Sequence, residues 1–211
     1  GKTRACLELG HLLSTQFPGC RGLILRKVAK TLASSTLQTF ERFVLRVEDG
    51  GKWYGGSQKD PPSYIYPNGS TIAVGGMDEA GKILSTEYDW IYVNECNQLL
   101  SKQWQTLISR LRGMVLEHPR IFGDCNPTVS SNWLYKEREA GGFLRVIHSY
   151  HKDNPAYFNE DGTPTPAGEA YIDQRLGRIS DPGLRASLLL GERQGVENAL
   201  YGAYSDDSHI R

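Results

Sequence analysis

At 211 residues and 39% hydrophobic, the chain can bury one core of ordinary size, with room for a short appendage. Lys plus Arg and Asp plus Glu number 24 each, so no global basic field announces nucleic acid, and any contact with DNA must come from local patches. No apolar run approaches a membrane span and no signal peptide is visible, while four scattered cysteines without C-x-x-C or metal-ligand spacing read as reduced thiols of a cytosolic protein.

Gly1-Lys2-Thr3 matches the last three positions of the phosphate-cradling loop G-x-x-x-x-G-K-[ST], which makes the chain look like a fragment that starts inside the motif. Such a loop needs backbone N–H groups at a helix start, an ammonium for the β/γ oxygens and a hydroxyl for Mg²⁺. Gly1, Lys2 and Thr3 are therefore candidate ATP-binding residues, with Thr3 also a candidate Mg²⁺ ligand. The bland alternative is three common residues at a terminus.

Leu7, Leu9, Leu12 and Leu13 predict a helix over residues 3–14, and Gly22 to Arg26 a short buried strand. Ser35-Thr36-Leu37-Gln38 is a capping-box signature for a helix with Phe40, Val44 and Val47 on one stripe. Residues 50–62, rich in Gly, Pro and polar side chains, read as a loop. Tyr64 to Tyr66 and Thr71 to Val74, joined by Pro67-Asn68-Gly69-Ser70, read as a hairpin.

Trp90-Ile91-Tyr92-Val93 then ends abruptly in Asn94-Glu95. That is a buried parallel strand delivering an amide and a carboxylate at its carboxyl end, where open α/β sheets place ligands. In ATPases of this kind the first position orients Mg²⁺, often through water, and the second polarises the attacking water. Asn94 is thus a candidate nucleotide and metal residue that carries no charge, and Glu95 the candidate general base. The alternative is a strand ending in two solvated polar residues.

Ser101 could cap a helix bearing Trp104, Leu107, Ile108 and Leu111. Ile121-Phe122-Gly123 predicts a strand running into Asp124-Cys125-Asn126-Pro127-Thr128, where Asp124 or Asn126 could sense the γ-phosphate; an Asn-Pro turn is the even alternative. Arg26, Lys82, Arg110 and Arg112 are candidates for charge stabilisation in phosphoryl transfer, in cis or from a neighbour, though a solvated face is the default for each. The five histidines show no ligand spacing.

A helix over residues 133–137 and a strand over 143–147 come next. After Tyr150 a turn-rich stretch leads to helices around 167–178 and 182–191 and a polar tail. Strands alternating with helices favour an α/β fold with a mostly parallel sheet.

The ordered set goes further than any one motif. Gly76-Met77-Asp78, Lys82 to Asp89, Asn94-Glu95, Trp104 to Arg112, Asp124 to Thr128 with Trp133-Leu134-Tyr135, Asp153-Asn154-Pro155, and Gly191-Glu192-Arg193 to Ala199-Leu200-Tyr201 follow one another. In this order the chain resembles, over nearly its whole length, the ATPase domain of the large terminase subunit of tailed bacteriophages. The resemblance implies a P-loop fold of the additional-strand, catalytic-glutamate type with a hairpin insertion. It implies ATP and Mg²⁺ as cofactors, and a motor that pumps double-stranded viral DNA into a procapsid in the host cytoplasm. Its partners would be the portal protein and procapsid, the small terminase subunit, and further copies in a homo-oligomeric ring, with no membrane.

On these positions Lys2 and Thr3 match the end of the phosphate loop, Asn94 and Glu95 the magnesium and catalytic positions, and Asp124 to Thr128 the motif coupling hydrolysis to movement. Residues 1–150 would be the ATPase core and 151–211 a helical lid or linker towards a nuclease domain. Asn94 departs from the usual acid. Leu84-Ser85 occupy the neighbourhood where some relatives carry a trans-acting arginine, and Asp206 and Asp207 do not make a nuclease cluster, so no DNA cleavage is expected. Two rivals stay open: a helicase-like ATPase, for which the remainder after 150 is short, and a non-catalytic nucleotide-binding remnant serving as an assembly scaffold.

Overall fold

The computed structural model describes residues 1–129, 131–139 and 144–191. The chain divides into two compact units, Gly1–Cys125 and Asn126–Arg211. In chain order the first holds α1 (Lys2–Gln16), β1 (Arg21–Arg26), α2 (Lys30–Ala33), α3 (Thr36–Phe43), β2 (Lys52–Tyr54), β3 (Ser63–Ile65), β4 (Thr71–Gly76), α4 (Ala80–Ile83), β5 (Trp90–Asn94), α5 (Ser101–Ile108) and β6 (Arg120–Asp124).

These strands form one sheet in the order β2-β3-β4-β1-β5-β6. Strand β1 runs parallel to β4 and β5, and β5 parallel to β6, while β2 and β3 add an antiparallel edge. All five residues of β5 are buried, as expected for a central strand covered on both faces. Period-two alternation puts Ile24, Trp90 and Tyr92 with Leu7, Leu13, Leu37 and Phe40 in the main core cluster. Leu23, Leu25, Ile91 and Val93, equally buried, point to the opposite face.

Trp90 sets how closely α1 approaches the sheet. Its ring lies against Gly10 of α1, where a Cβ would fall 2.7 Å away, and its Nε1 donates to Ser14 Oγ at 3.2 Å. Asp89, buried just before β5, accepts from the backbone N–H groups of Arg21, Val115 and Leu116 at 2.9, 2.9 and 3.1 Å. One carboxylate thereby ties the incoming loop to the start of two neighbouring strands.

The hairpin forms at the expected turn. Tyr66 accepts from Gly69 N–H at 3.0 Å and donates to Ser70 O at 2.9 Å, with Gly69 at φ 83° supplying the left-handed residue. Other expectations fail. Lys52–Tyr54 is a strand, not loop, pairing with β3 and setting Trp53 4.8 Å from the Tyr64 ring. Helix α3 stops at Phe43, so Val47 falls in a 3-10 turn and is 96% exposed. Ser35 does not cap α3, because its hydroxyl donates to Thr31 O in the preceding one-turn helix. His11 is buried and bonded, through Nδ1 to Tyr66 OH and through Nε2 to Asp49 Oδ2, at 2.9 Å each.

Within the second unit the elements are α6 (Trp133–Glu139), α7 (Pro166–Gln174) and α8 (Pro182–Leu190), with 3-10 turns at His151–Asp153 and Leu176–Arg178. Thr165 and Asp181 cap α7 and α8, accepting from Gly168 and Leu184 N–H, and each helix carries Pro in its first turn. Tyr157 stacks on Tyr171 at 4.7 Å, and His151 Nε2 reaches Leu188 O at 2.7 Å. Residues 144–147 form no strand; three of these four side chains are exposed and no ladder partner meets them. Phe143 and the tail from 192, including Asp206 and Asp207, lie outside the described residues. Among the described residues no helix is long and apolar enough to cross a membrane.

Candidate functional site

Strands β5 and β6 end side by side, with Asn94 paired to Asp124 in the parallel ladder. Phe122 stacks on Tyr92 at 5.8 Å, and one register step further the same face turns polar. That step is where the beginning of α1 arrives. Thr3 Oγ1 donates to Asp124 Oδ2 at 2.6 Å, and Lys2 Nζ to Cys125 O at 2.8 Å. Helix α1 has Gly1 as its N-cap, no side-chain cap hydrogen bond and no acidic residue in its first turn, so the positive end of its dipole is not neutralised locally.

Asp124 collects three donors. Besides Thr3, Tyr92 OH donates to Oδ1 at 2.8 Å and Asn94 Nδ2 to Oδ1 at 3.0 Å. Asn94 Oδ1 in turn accepts from Thr36 Oγ1 at 2.9 Å. Burial first, then the Asp124 charge, pushes the Tyr92 hydroxyl far above its ordinary range, so it stays a donor.

Glu95 follows at φ 52°, ψ 51°. Among the described residues it is the one non-glycine with positive φ. Non-glycine residues held there cost of order 1–3 kcal/mol and cluster at functional sites. Burial, followed by the Asp124 charge, raises the Glu95 carboxyl above the usual range, while Arg26 and then Lys2 pull it back. A half-buried carboxylate with a raised pKa is the condition a general base needs near neutral pH. Interaction with Cys125, then burial, raises the Cys96 thiol, and the same interaction lowers Cys125.

The fold thus brings Gly1, Lys2, Thr3, Asn94, Glu95 and Asp124 to one tip of the first unit. Asn126 is exposed and opens the second unit. Arg110 and Arg112 are elsewhere. Arg110 O accepts from Tyr88 N–H and Arg112 faces Glu87 at 4.0 Å, at the entry to β5. Glu95 stands beyond the exit of that five-residue strand, on the order of 20 Å away at about 3.3 Å per residue. Neither arginine reaches it in cis. Lys82 pairs with Glu79 at 3.7 Å on the surface. Arg26, ending β1, is the cation whose charge Glu95 feels most, and among the described residues its buried Nε has no hydrogen-bond partner. The signal was in the sequence: a strand neighbouring β5 that ends in arginine.

A divalent cation fits this donor set in one way. Among the described residues no group of three or more His, Cys, Asp or Glu could hold a metal by itself. A hydroxyl and a carboxylate at the start of a helix are what Mg²⁺ uses when it arrives with a polyphosphate.

Residues 12–163 match the phage terminase large subunit family. The chain belongs to that family. Among solved structures, the large terminase from a thermophilic bacteriophage superposes with TM-score 0.72 at 14% identity, over 99% of this chain and 50% of that one. The same phage protein in complex with ADP gives 0.69 at 14%, over 97% and 48%. The ATPase domain of the Thermus phage P74-26 large terminase gives 0.54 at 13%, over 91% and 84%. At such identities the likeness speaks for the fold, a P-loop type with a mostly parallel sheet. The chain spans about half the length of the first of these large terminases. No curated protein matches it.

Proposed function

We propose that this chain is the ATP-hydrolysing part of a large terminase, driving double-stranded viral DNA into a procapsid. The observation that supports it best is the meeting of Lys2 and Thr3, at the start of α1, with Asp124 and Glu95 at the strand tips. In this reading the α1 N–H groups and the Lys2 ammonium hold the β- and γ-phosphates. The Glu95 carboxylate takes a proton from water as the oxygen attacks the γ-phosphorus. The bond to the β–γ bridging oxygen breaks, leaving ADP and phosphate. Thr3 and the polar group around it would hold Mg²⁺, which neutralises charge on the phosphates when bound. Arg26 is placed to orient Glu95, and Arg110 and Arg112 could serve only from a neighbouring copy.

The boundary between the two units falls between Cys125 and Asn126, inside the stretch that resembles the coupling motif. Residues 151–211 are then the lid or linker. Portal, procapsid, small subunit and a ring of copies in the host cytoplasm are the partners and setting this function requires. The reading is tested by titrating ATPγS into the full-length protein. Lys2→Ala should abolish saturable binding; unchanged affinity in that variant would remove Lys2 from the phosphates.

A further inference from the structure

Position 94 is where a carboxylate is expected, and it holds an amide whose NH₂ side, in the orientation seen, is turned to the neighbouring carboxylate. Its Oδ1 accepts from the Thr36 hydroxyl, and its Nδ2 points at Asp124 Oδ1 at 3.0 Å and at Tyr92 OH at 3.2 Å. The orientation is dictated by chemistry, since a carboxylate only accepts and must face the NH₂ group. The side of Asn94 turned towards Asp124 therefore presents N–H. An N–H group neither ligates a metal nor accepts from metal-bound water.

We infer that Asp124 is the acid of the magnesium position, the negative charge having moved from β5 to the neighbouring β6. The inference rests on the nucleotide reading above and deepens it. Asn94 and Asp124 stand in register on adjacent parallel strands, so exchanging amide and acid keeps one carboxylate at the tip. The displacement is one strand spacing, about 4.8 Å. It carries the charge to the side on which Thr3 arrives, and Thr3 Oγ1 meets Asp124 Oδ2 at 2.6 Å. Two of the carboxylate's four lone-pair directions, those on Oδ1, are filled by Tyr92 and Asn94. Oδ2 receives Thr3 alone of the three and keeps one direction open, beside the hydroxyl oxygen. Asn94 becomes a positioning residue, clamped by Thr36 on one side and clamping Asp124 on the other.

The test is an exchange of charges read by binding. ATPγS is titrated into the full-length protein in Mg²⁺ and in EDTA, and Mn²⁺ uptake by the ATPγS-bound protein is followed by electron paramagnetic resonance. Asp124→Asn should lose about tenfold or more of the metal-dependent affinity while keeping its affinity in EDTA. The exchange Asn94→Asp with Asp124→Asn, which restores one acid and one amide facing each other, should recover most of the loss. Metal dependence in Asp124→Asn equal to wild type, with ATPγS still bound, overturns this inference and leaves the nucleotide reading standing. An exchange variant no better than Asp124→Asn also overturns it. Should the single variant fail to fold, the exchange decides alone: metal-dependent binding supports the relocation and its loss refutes it. No ATPγS binding by the wild-type protein overturns both readings.

Discussion

Thr3 and Asp124, 121 positions apart, are joined by a 2.6 Å hydroxyl-to-carboxylate hydrogen bond. The bond fastens the first turn of α1 to the end of β6. The carboxylate it engages is also the one that pushes up the Glu95 carboxyl. Binding residues and the candidate base are thus coupled through a single side chain. What happens at Asp124 should be felt at both.

The pH dependence follows from the signs. A general base acts when deprotonated, so kcat/KM for ATP hydrolysis should fall as pH drops through the raised Glu95 pKa. Asp124 raises that pKa, so in Asp124→Asn the acid limb should move to lower pH. Arg26 lowers it, so in Arg26→Gln the limb should move to higher pH. Limbs that stay fixed in both variants would mean another group titrates.

Asn94→Asp places a second carboxylate against Asp124 and removes an N–H donor. In EDTA the variant should be less stable, by about 1–3 kcal/mol, through repulsion and the lost hydrogen bond. Mg²⁺ with nucleotide should close much of that gap, and the Mg²⁺ titration should move to lower concentration. Thermal melts with and without Mg²⁺·ATPγS measure both. An unchanged Mg²⁺ titration would argue that no metal comes near.

Glu95 is held in the left-handed region, where glycine sits without strain. Glu95→Gly should therefore relieve about 1–2 kcal/mol of strain. Greater freedom of the unfolded chain offsets about 0.4–1 kcal/mol of this. A slightly more stable, inactive protein is expected in denaturant melts, and a clear loss of stability would show that the Glu95 side chain serves the fold.

Gly22 of β1 lies under the Trp90 ring, with no room for a Cβ. Gly22→Ala should drive the indole off β1 and against Gly10 of α1, and cost about 1–3 kcal/mol, as overpacking usually does. Urea unfolding followed by Trp fluorescence reads this, and an unaffected midpoint would contradict the packing described.

Much of the fold was legible wherever local chemistry settles the matter. Uninterrupted apolar runs marked β1, β5 and β6, and Pro67-Asn68-Gly69 marked the hairpin, because a left-handed glycine after a proline leaves few choices. Strand β2 was hidden, since Lys52-Trp53-Tyr54 becomes a strand only through its ladder with β3, beyond a loop. Val47 shared a helical period with Phe40, but α3 ends too early to use it. In the candidate site, Lys2, Thr3 and Glu95 could be picked out by motif. The partner of Thr3 could not, because which strand tip α1 meets is decided by the order of strands in the sheet. The same limit hid that α5 runs back to the entry of β5, which carries Arg110 and Arg112 away from Glu95.

Glu95 acting as the base is the claim on which the motor function turns. In the full-length protein, steady-state phosphate release by Glu95→Gln should drop by about two decades or more in kcat, while ATPγS affinity in Mg²⁺ stays as in wild type. Near-normal turnover in that variant would contradict the role given to Glu95.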